Sequence, residues 1–236
     1  MKAVLVTGSG RGLGKGFVTY LLDEGWKVFG GMRHISMADP DLTTNPHFVP
    51  VTLDVTDNAS INAAFKIVAE QTKYLDLLVN NAGLNKDSAT NNNKDLVCKL
   101  GDLDRQSLLK MFDVNSISPM IVLQKFLPLL KGTPSFVINI SSCRASYHDE
   151  FGSTNGNYGY RASKTALNMM TFCSVMDLPN NIKIFAVHPG SVMTDMNPEG
   201  TDLPYDQAKK IMDITTNWKE EFNGRYLRYD GSLYPL

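Results

Sequence analysis

The sequence predicts an α/β fold, a doubly wound and mostly parallel sheet with helices on both faces. Three observations predict it. Short apolar runs alternate with segments of helical spacing along the chain, the pattern of repeated strand–helix–strand units. Those runs are continuous rather than alternating, as befits strands covered on both faces. A glycine-rich turn also follows the first apolar run, where sheets of this kind hold phosphate groups. The 236 residues suit one domain, residues 1–236, with a single large core that needs no disulfides.

Each element has its own justification. Residues 2–7 (KAVLVT) read as a buried strand; their apolar run is too short for a signal peptide and meets glycines. A helix follows from about 12 to 23. Residues 26–30 are a second apolar run, and 48–55 a third strand. Residues 60–71 carry Ile61, Phe65 and Val68 at helical spacing. Residues 75–79 form a continuous apolar strand. Asp104 caps a helix that carries Leu108, Met111 and Phe112. Residues 135–140 are a strand, 160–176 a helix, and 182–187 a strand after Asn180-Asn181; a last strand lies near 225–229. Right-handed crossovers wind these strands into one sheet. Phe17, Leu21, Phe65, Leu78 and Ile138 belong to the core. The polar run at 86–94 (KDSATNNNK) reads as a surface loop.

Composition narrows the function. A net charge of −1, without runs of like charge, gives no electrostatic case for nucleic acid or an anionic membrane. No segment reaches the roughly 20 apolar residues that span a bilayer. Cys98, Cys143 and Cys173 are odd in number and widely spaced, which argues against a disulfide framework and for a reducing, cytoplasmic setting. His34, His47, His148 and His188 lack metal-ligand spacing, so no metal is expected.

The turn Thr7-Gly8-Ser9-Gly10-Arg11-Gly12-Leu13-Gly14 lies between the first strand and the first helix. Glycines let backbone approach a pyrophosphate, and the helix N-terminus offers free N–H groups. Glycines also serve ordinary turns; it is the placement that makes this one specific. The second strand ends Phe29-Gly30-Gly31-Met32-Arg33-His34. The acid that would hold an NAD ribose is missing. Arg33 and Arg11 instead suit a 2′-phosphate, which favours NADP(H) over NAD(H). Further along, Tyr160 and Lys164 stand four apart, on one face of a helix. A phenol titrates near about 10 when unperturbed, and a neighbouring ammonium lowers that value. Ser141 and Ser142 follow a strand, where open sheets bind ligands and where serines also cap turns. Asn115 sits in an apolar helical stretch; it either bridges backbone structurally or carries a proton.

Together these residues resemble the short-chain dehydrogenase/reductase family. Thr7-Gly8, then Gly12-Leu13-Gly14, resembles its cofactor motif. Leu53-Asp54-Val55-Thr56-Asp57 resembles its adenine-contacting segment, and Asn80-Asn81-Ala82-Gly83 its sheet-stabilising motif. Asn115, Ser142, Tyr160 and Lys164 fall where its catalytic tetrad stands. His188-Pro189-Gly190, then Val192 and Thr194, resembles its Pro-Gly motif. The segments at 160–168, 188–196 and 223–231 are similar to the sniffer-type carbonyl reductase and C-factor branch.

The resemblance implies a Rossmann-type oxidoreductase in which Tyr160 is the acid/base, Ser142 binds the carbonyl oxygen, Lys164 holds the ribose and Asn115 continues a proton relay. It implies cofactor contacts at Thr7, Gly8, Gly10, Arg11, Gly12, Leu13, Gly14, Arg33, Asp54, Val55, Asn81, Ala82, Gly83, Tyr160, Lys164, Pro189, Gly190, Val192 and Thr194. Substrates would be small ketones, aldehydes or quinones. A homodimer or homotetramer built on the helices of Asn115 and Tyr160 is implied as well. The alternative is a cofactor-binding signalling or regulatory protein of the C-factor type, which has no need of Tyr160. A Rossmann methyltransferase leaves the Tyr160/Lys164 pair unexplained. The stretches 86–100 and 143–159 depart from the family pattern and bear on the substrate.

Overall fold

Seven strands form one all-parallel sheet in the order β3-β2-β1-β4-β5-β6-β7. They are β1 (Ala3–Thr7), β2 (Lys27–Met32), β3 (Phe48–Thr52), β4 (Leu77–Asn80), β5 (Ser135–Ile140), β6 (Ile182–His188) and β7 (Tyr226–Arg228). The helices are α1 (Gly12–Asp23), α2 (Pro40–Thr43), α3 (Asn58–Gln71), α4 (Arg105–Phe112), α5 (Ser118–Leu130), α6 (Tyr158–Ser174) and α7 (Pro204–Thr216). This computed structural model describes residues 1–85, 100–101, 103–130, 132, 134–148 and 157–236. The expected loop at 86–94, Cys98 and residues 149–156 lie outside the described residues.

The pleat divides the core in two. Val4 and Val6 of β1 face one layer with Phe17, Val18 and Leu21 of α1 and Ile211 of α7. Ala3 and Leu5 face the other with Ile61, Ala64 and Val68 of α3 and Val122 and Phe126 of α5. Alternation along a strand places neighbours on opposite faces, and here both faces are apolar. Phe17, Leu21, Leu78 and Ile138 are fully buried and Phe65 packs at the edge. Burying each large side chain contributes about 1.5–3 kcal/mol.

Local chemistry sets the boundaries. β2 runs two residues past the expected end because Gly31 and Met32 still pair with Val51 and Thr52 of β3. β3 stops three residues short of its expected end. There Asp54 turns the chain, its carboxylate accepting from the Thr56 N–H at 3.0 Å and hydroxyl at 2.7 Å. Asp57 then caps α3 and Asp104 caps α4, as their types favour. The long helix expected after Asp104 is two helices joined by a π-helical turn, Asp113–Ile117. α2 and α7 were not foreseen, although Pro204 opens α7 at the position proline favours.

Candidate active site

Because the sheet is parallel, every strand ends at the same edge. Gly8 follows β1, Arg33 follows β2, Asp54 lies just past β3, Asn81 follows β4, Ser141 and Ser142 follow β5, and Pro189 follows β6. Open parallel sheets bind ligands at this edge. The fold thus collects onto one rim residues separated by more than a hundred positions in the chain.

The phosphate end is built around close backbone approach. Gly8 has φ +65°, and a methyl built there would lie 2.8 Å from Ala82 Cα. A methyl on Gly14 would overlap the Gly8 carbonyl and the Asn81 amide. Asn81 braces the turn: its Nδ2 donates to the carbonyls of Thr7 at 2.9 Å and Gly8 at 3.0 Å. Thr7 Oγ1 accepts from the backbone N–H groups of Asn81 at 3.0 Å and Ala82 at 3.1 Å. Arg11 occupies the N-cap of α1 in extended conformation without a side-chain cap bond. The helix therefore keeps its first-turn N–H groups for an anion. This hollow, closed to a Cβ at Gly8 and Gly14 and edged with N–H donors, fits the pyrophosphate of a dinucleotide.

Around it the charges are arranged differently from the sequence expectation. Arg33 is exposed at the end of β2. Arg11, expected beside it, pairs instead with Asp195 at 2.7 Å, both side chains being more than half exposed. Such a pair is worth at most about 1 kcal/mol, so an anionic ligand can displace it. The first acid after β2, Asp39, is engaged by Lys15 at 2.5 Å, which holds its carboxyl below the ordinary value. The segment after β6 folds against the turn: a methyl on Gly12 would lie 3.1 Å from Thr194 Cγ2. Val192 is buried, Pro189 accepts from Gln207 Nε2 at 2.7 Å, and Asp202 accepts from the Ser191 N–H at 3.1 Å near Gly190.

At the other end Ser142, Tyr160, Lys164 and Asn115 meet. Tyr160 and Lys164 lie on α6, with the ammonium 5.9 Å from the phenol ring centre. Lys164 is buried and donates to the Ile140 carbonyl at 2.7 Å. Burial lowers its pKa to about 8. Tyr160 is pushed up, chiefly by burial, and hydrogen bonding from the Ser142 hydroxyl works in the opposite direction. The nearby Arg144 guanidinium also favours the phenolate, yet burial prevails. Gly83 lies beside both partners: a methyl there would be 3.5 Å from Asn115 Oδ1 and 3.6 Å from Lys164 Nζ.

The Asn115 side chain is buried and fully hydrogen-bonded. Oδ1 accepts from the Leu84 N–H at 2.8 Å, while Nδ2 donates to the Leu84 carbonyl at 2.8 Å and Ser163 Oγ at 3.0 Å. The side chain bridges backbone. Its residue sits within the π-helical turn, a local widening found mostly at functional sites because it disturbs the carbonyl ladder. Two residues missed from sequence also shape the site. Tyr226 of β7 donates from its buried hydroxyl to the Ser142 carbonyl at 2.6 Å. Asn168 accepts from Ser141 Oγ at 2.7 Å. Tyr226 lies in a segment whose family likeness was legible, but its contact was not.

The short chain dehydrogenase family matches residues 2–202 of this sequence. The chain belongs to the short-chain dehydrogenase family, an oxidoreductase family. Among solved structures it is similar to the NADPH-bound carbonyl reductase from chicken fatty liver, with 31% identity, a TM-score of 0.88 and coverage of 100% of this chain and 99% of that one. It is similar to the carbonyl reductase Sniffer of D. melanogaster, with 28% identity, a TM-score of 0.86 and full coverage of both chains. C-signal of Myxococcus xanthus is 32% identical over 167 residues, covering 70% of this chain and 94% of that protein. One fungal family member is 29% identical, and this chain spans 53% of its length. The expected likeness to sniffer-type reductases and the C-factor branch is borne out, and so is the Rossmann-type fold. No described helix is long and apolar enough to cross a membrane.

Proposed function

We propose that this chain is an NADP(H)-dependent carbonyl reductase acting on a small ketone, aldehyde or quinone, with Tyr160 as its acid/base. What carries the reading is the convergence of the Tyr160 phenol, the Ser142 hydroxyl and the buried Lys164 ammonium at the strand-end rim. The turn from Thr7 to Gly14 would take the pyrophosphate, Arg33 and a released Arg11 the 2′-phosphate, and Asp54 and Val55 the adenine. The cofactor's nicotinamide supplies or accepts the hydride when bound. Asn81, Ala82, Gly83, Pro189, Gly190, Val192 and Thr194 would line its path, and Lys164 would hold its ribose.

In the reductive direction Ser142 donates a hydrogen bond to the carbonyl oxygen and favours the charge that develops there. Tyr160 gives that oxygen its proton, so the carbonyl becomes an alcohol and the phenol a phenolate. The raised pKa of the unliganded phenol keeps Tyr160 protonated, which suits a proton donor. Lys164, titrating at about 8, is available to exchange protons near neutrality. The main chain of the π-helical turn at Asn115 continues the relay towards solvent.

The oligomer we favour is a homodimer through α6. Met169 and Phe172 are each more than half exposed, Cys173 is exposed and Met176 is 85% exposed. That one-sided apolar stripe is the kind of surface a second subunit covers. We read residues 1–236 as one domain in a reducing, cytoplasmic setting, with no resident metal and neither nucleic acid nor membrane as partner.

The deciding experiment follows NADPH consumption over a panel of aldehydes, ketones and quinones, with Tyr160→Phe beside the wild type. Turnover should fall by about 100-fold or more in the variant while NADPH still binds. Equal turnover in the two proteins removes Tyr160 from its role. The identity with C-signal favours one second reading, a cofactor-bound signalling protein; tight NADPH binding with no turnover on any carbonyl would shift weight to it.

A further inference from the structure

The end of β5 and one face of α6 are joined by three buried side-chain hydrogen bonds. Asn139 Nδ2 donates to Thr171 Oγ1 at 2.8 Å. Lys164 Nζ donates to the Ile140 carbonyl at 2.7 Å. Ser141 Oγ donates to Asn168 Oδ1 at 2.7 Å. Three successive residues at the end of β5 and just past it are thus tied to helix positions 164, 168 and 171, which share a face. Asn139, Ser141, Lys164, Asn168 and Thr171 are all at most 5% exposed. The lacing reaches β4, where Asn80 Nδ2 donates to Asn139 Oδ1 at 2.8 Å.

Apolar packing would hold a helix on a strand at less cost, since buried polar groups need every partner. Asn168 does not have every partner: its Nδ2 is buried with none among the described residues, which opposes folding. What directional bonds give in return is register, which non-directional apolar contact fixes poorly. Tyr160, Lys164 and Asn168 stand at successive steps of four along α6. Opposite them stand Ser142, the Ile140 carbonyl and Ser141.

We propose that Asn168 is a positioning residue for hydride transfer: by accepting the Ser141 hydroxyl it fixes the adjoining Ser142 at the distance from Tyr160 that a shared carbonyl oxygen requires. This rests on the reductase reading. Ser142 is then held on two sides, through Ser141 by α6 and through its own carbonyl by Tyr226 of β7. Small misplacements matter here, because about 1 Å at a reacting group can cost about 100-fold in rate.

The test is steady-state kinetics and thermal unfolding of wild type, Asn168→Ala, Ser141→Ala, the double variant and Ser141→Thr, well below their melting temperatures. Each alanine variant is expected to lower kcat by about 10- to 100-fold and to shift the pH profile of kcat, with the KM for NADPH nearly unchanged. The double variant should be no slower than the worse single one, and Ser141→Thr should recover most of the rate. A merely structural bond would lower the melting temperature and leave kcat and its pH profile in place, which overturns the proposal. Should Asn168→Ala not fold, Ser141→Ala, which removes a single hydroxyl, carries the comparison. A wild type that reduces no carbonyl refutes the reductase reading and this role with it; a working wild type with unaffected alanine variants refutes this role alone.

Discussion

Lys164 imposes a pH dependence on stability that can be isolated. Its ammonium is buried, and burial lowers its pKa from 10.5 to about 8. The unfolded chain returns the group to its ordinary value. Below pH about 8 both states carry the proton, and the desolvated charge opposes folding in full. Between about 8 and 10.5 the folded state has lost the proton and the unfolded state keeps it, so stability rises with pH by about 1.4 kcal/mol per unit. Above that range neither state is charged and the penalty is gone. Across the whole range the change is about 3 kcal/mol.

Lys164→Met removes this titration and keeps an apolar stem of similar length. The lost bond to the Ile140 carbonyl is an offset that does not depend on pH. Urea unfolding of both, read by Trp26 and Trp218 fluorescence from pH 7 to 10.5, should show the wild type gaining about 3 kcal/mol on the variant. In a chain of this size that is about 6–12 °C in melting temperature. A difference that stays flat with pH would mean that the ammonium is not desolvated, and the reasoning on Lys164 would be refuted.

Arg33→Ala should narrow the preference for NADPH over NADH in binding titrations; equal affinities in the wild type would remove the 2′-phosphate assignment. Asp195→Asn should release Arg11 and tighten NADPH by up to about 5-fold, the worth of one exposed pair, leaving NADH unchanged. Gly14→Ala should weaken both dinucleotides at least about 10-fold and cost about 1–3 kcal/mol of stability, since its methyl meets the Gly8 carbonyl and the Asn81 amide; unchanged dissociation constants would move the pyrophosphate elsewhere. Phe172→Asp should convert a dimer to a monomer in light scattering, and a wild type already at the mass of one chain would end the dimer proposal.

What could be read in the sequence was local. The turn from Gly8 to Gly14, the bounds of α1 and β5, and the cap at Asp104 depend on neighbours within a few residues, where residue type constrains conformation. The rim followed from topology, because a parallel sheet delivers every strand end to one edge. The lateral partners were not legible. Arg11 was expected near Arg33 and engages Asp195, more than 180 positions away; neither residue type nor spacing encodes that choice. Tyr226 and Asn168 were missed for the same reason: their bonds to Ser142 and Ser141 exist only once β7, β5 and α6 are in register. Asn115 stood out among apolar residues, but that its side chain binds the Leu84 backbone was not legible in the sequence.

α6 reverses the usual amphipathic order, and that reversal ties the proposals together. A surface helix normally turns apolar residues inward and polar ones outward. Here Ser163, Lys164, Asn168 and Thr171 are buried, while Met169 and Phe172 are more than half exposed. Packing alone would favour rotating the helix, which would bury the apolar stripe and return Lys164 to water. Directional bonds oppose the rotation: Lys164 to the Ile140 carbonyl, Ser141 to Asn168 and Asn139 to Thr171 each demand the present face. A second subunit on Met169, Phe172 and Met176 would oppose it from outside by burying what the inner face cannot. The two proposals are therefore coupled. Loss of the dimer would leave the stripe in water and weaken the hold on the inner face, so a monomeric Phe172→Asp should be slower than its dimeric parent, although residue 172 is placed in neither the catalytic nor the cofactor-binding set.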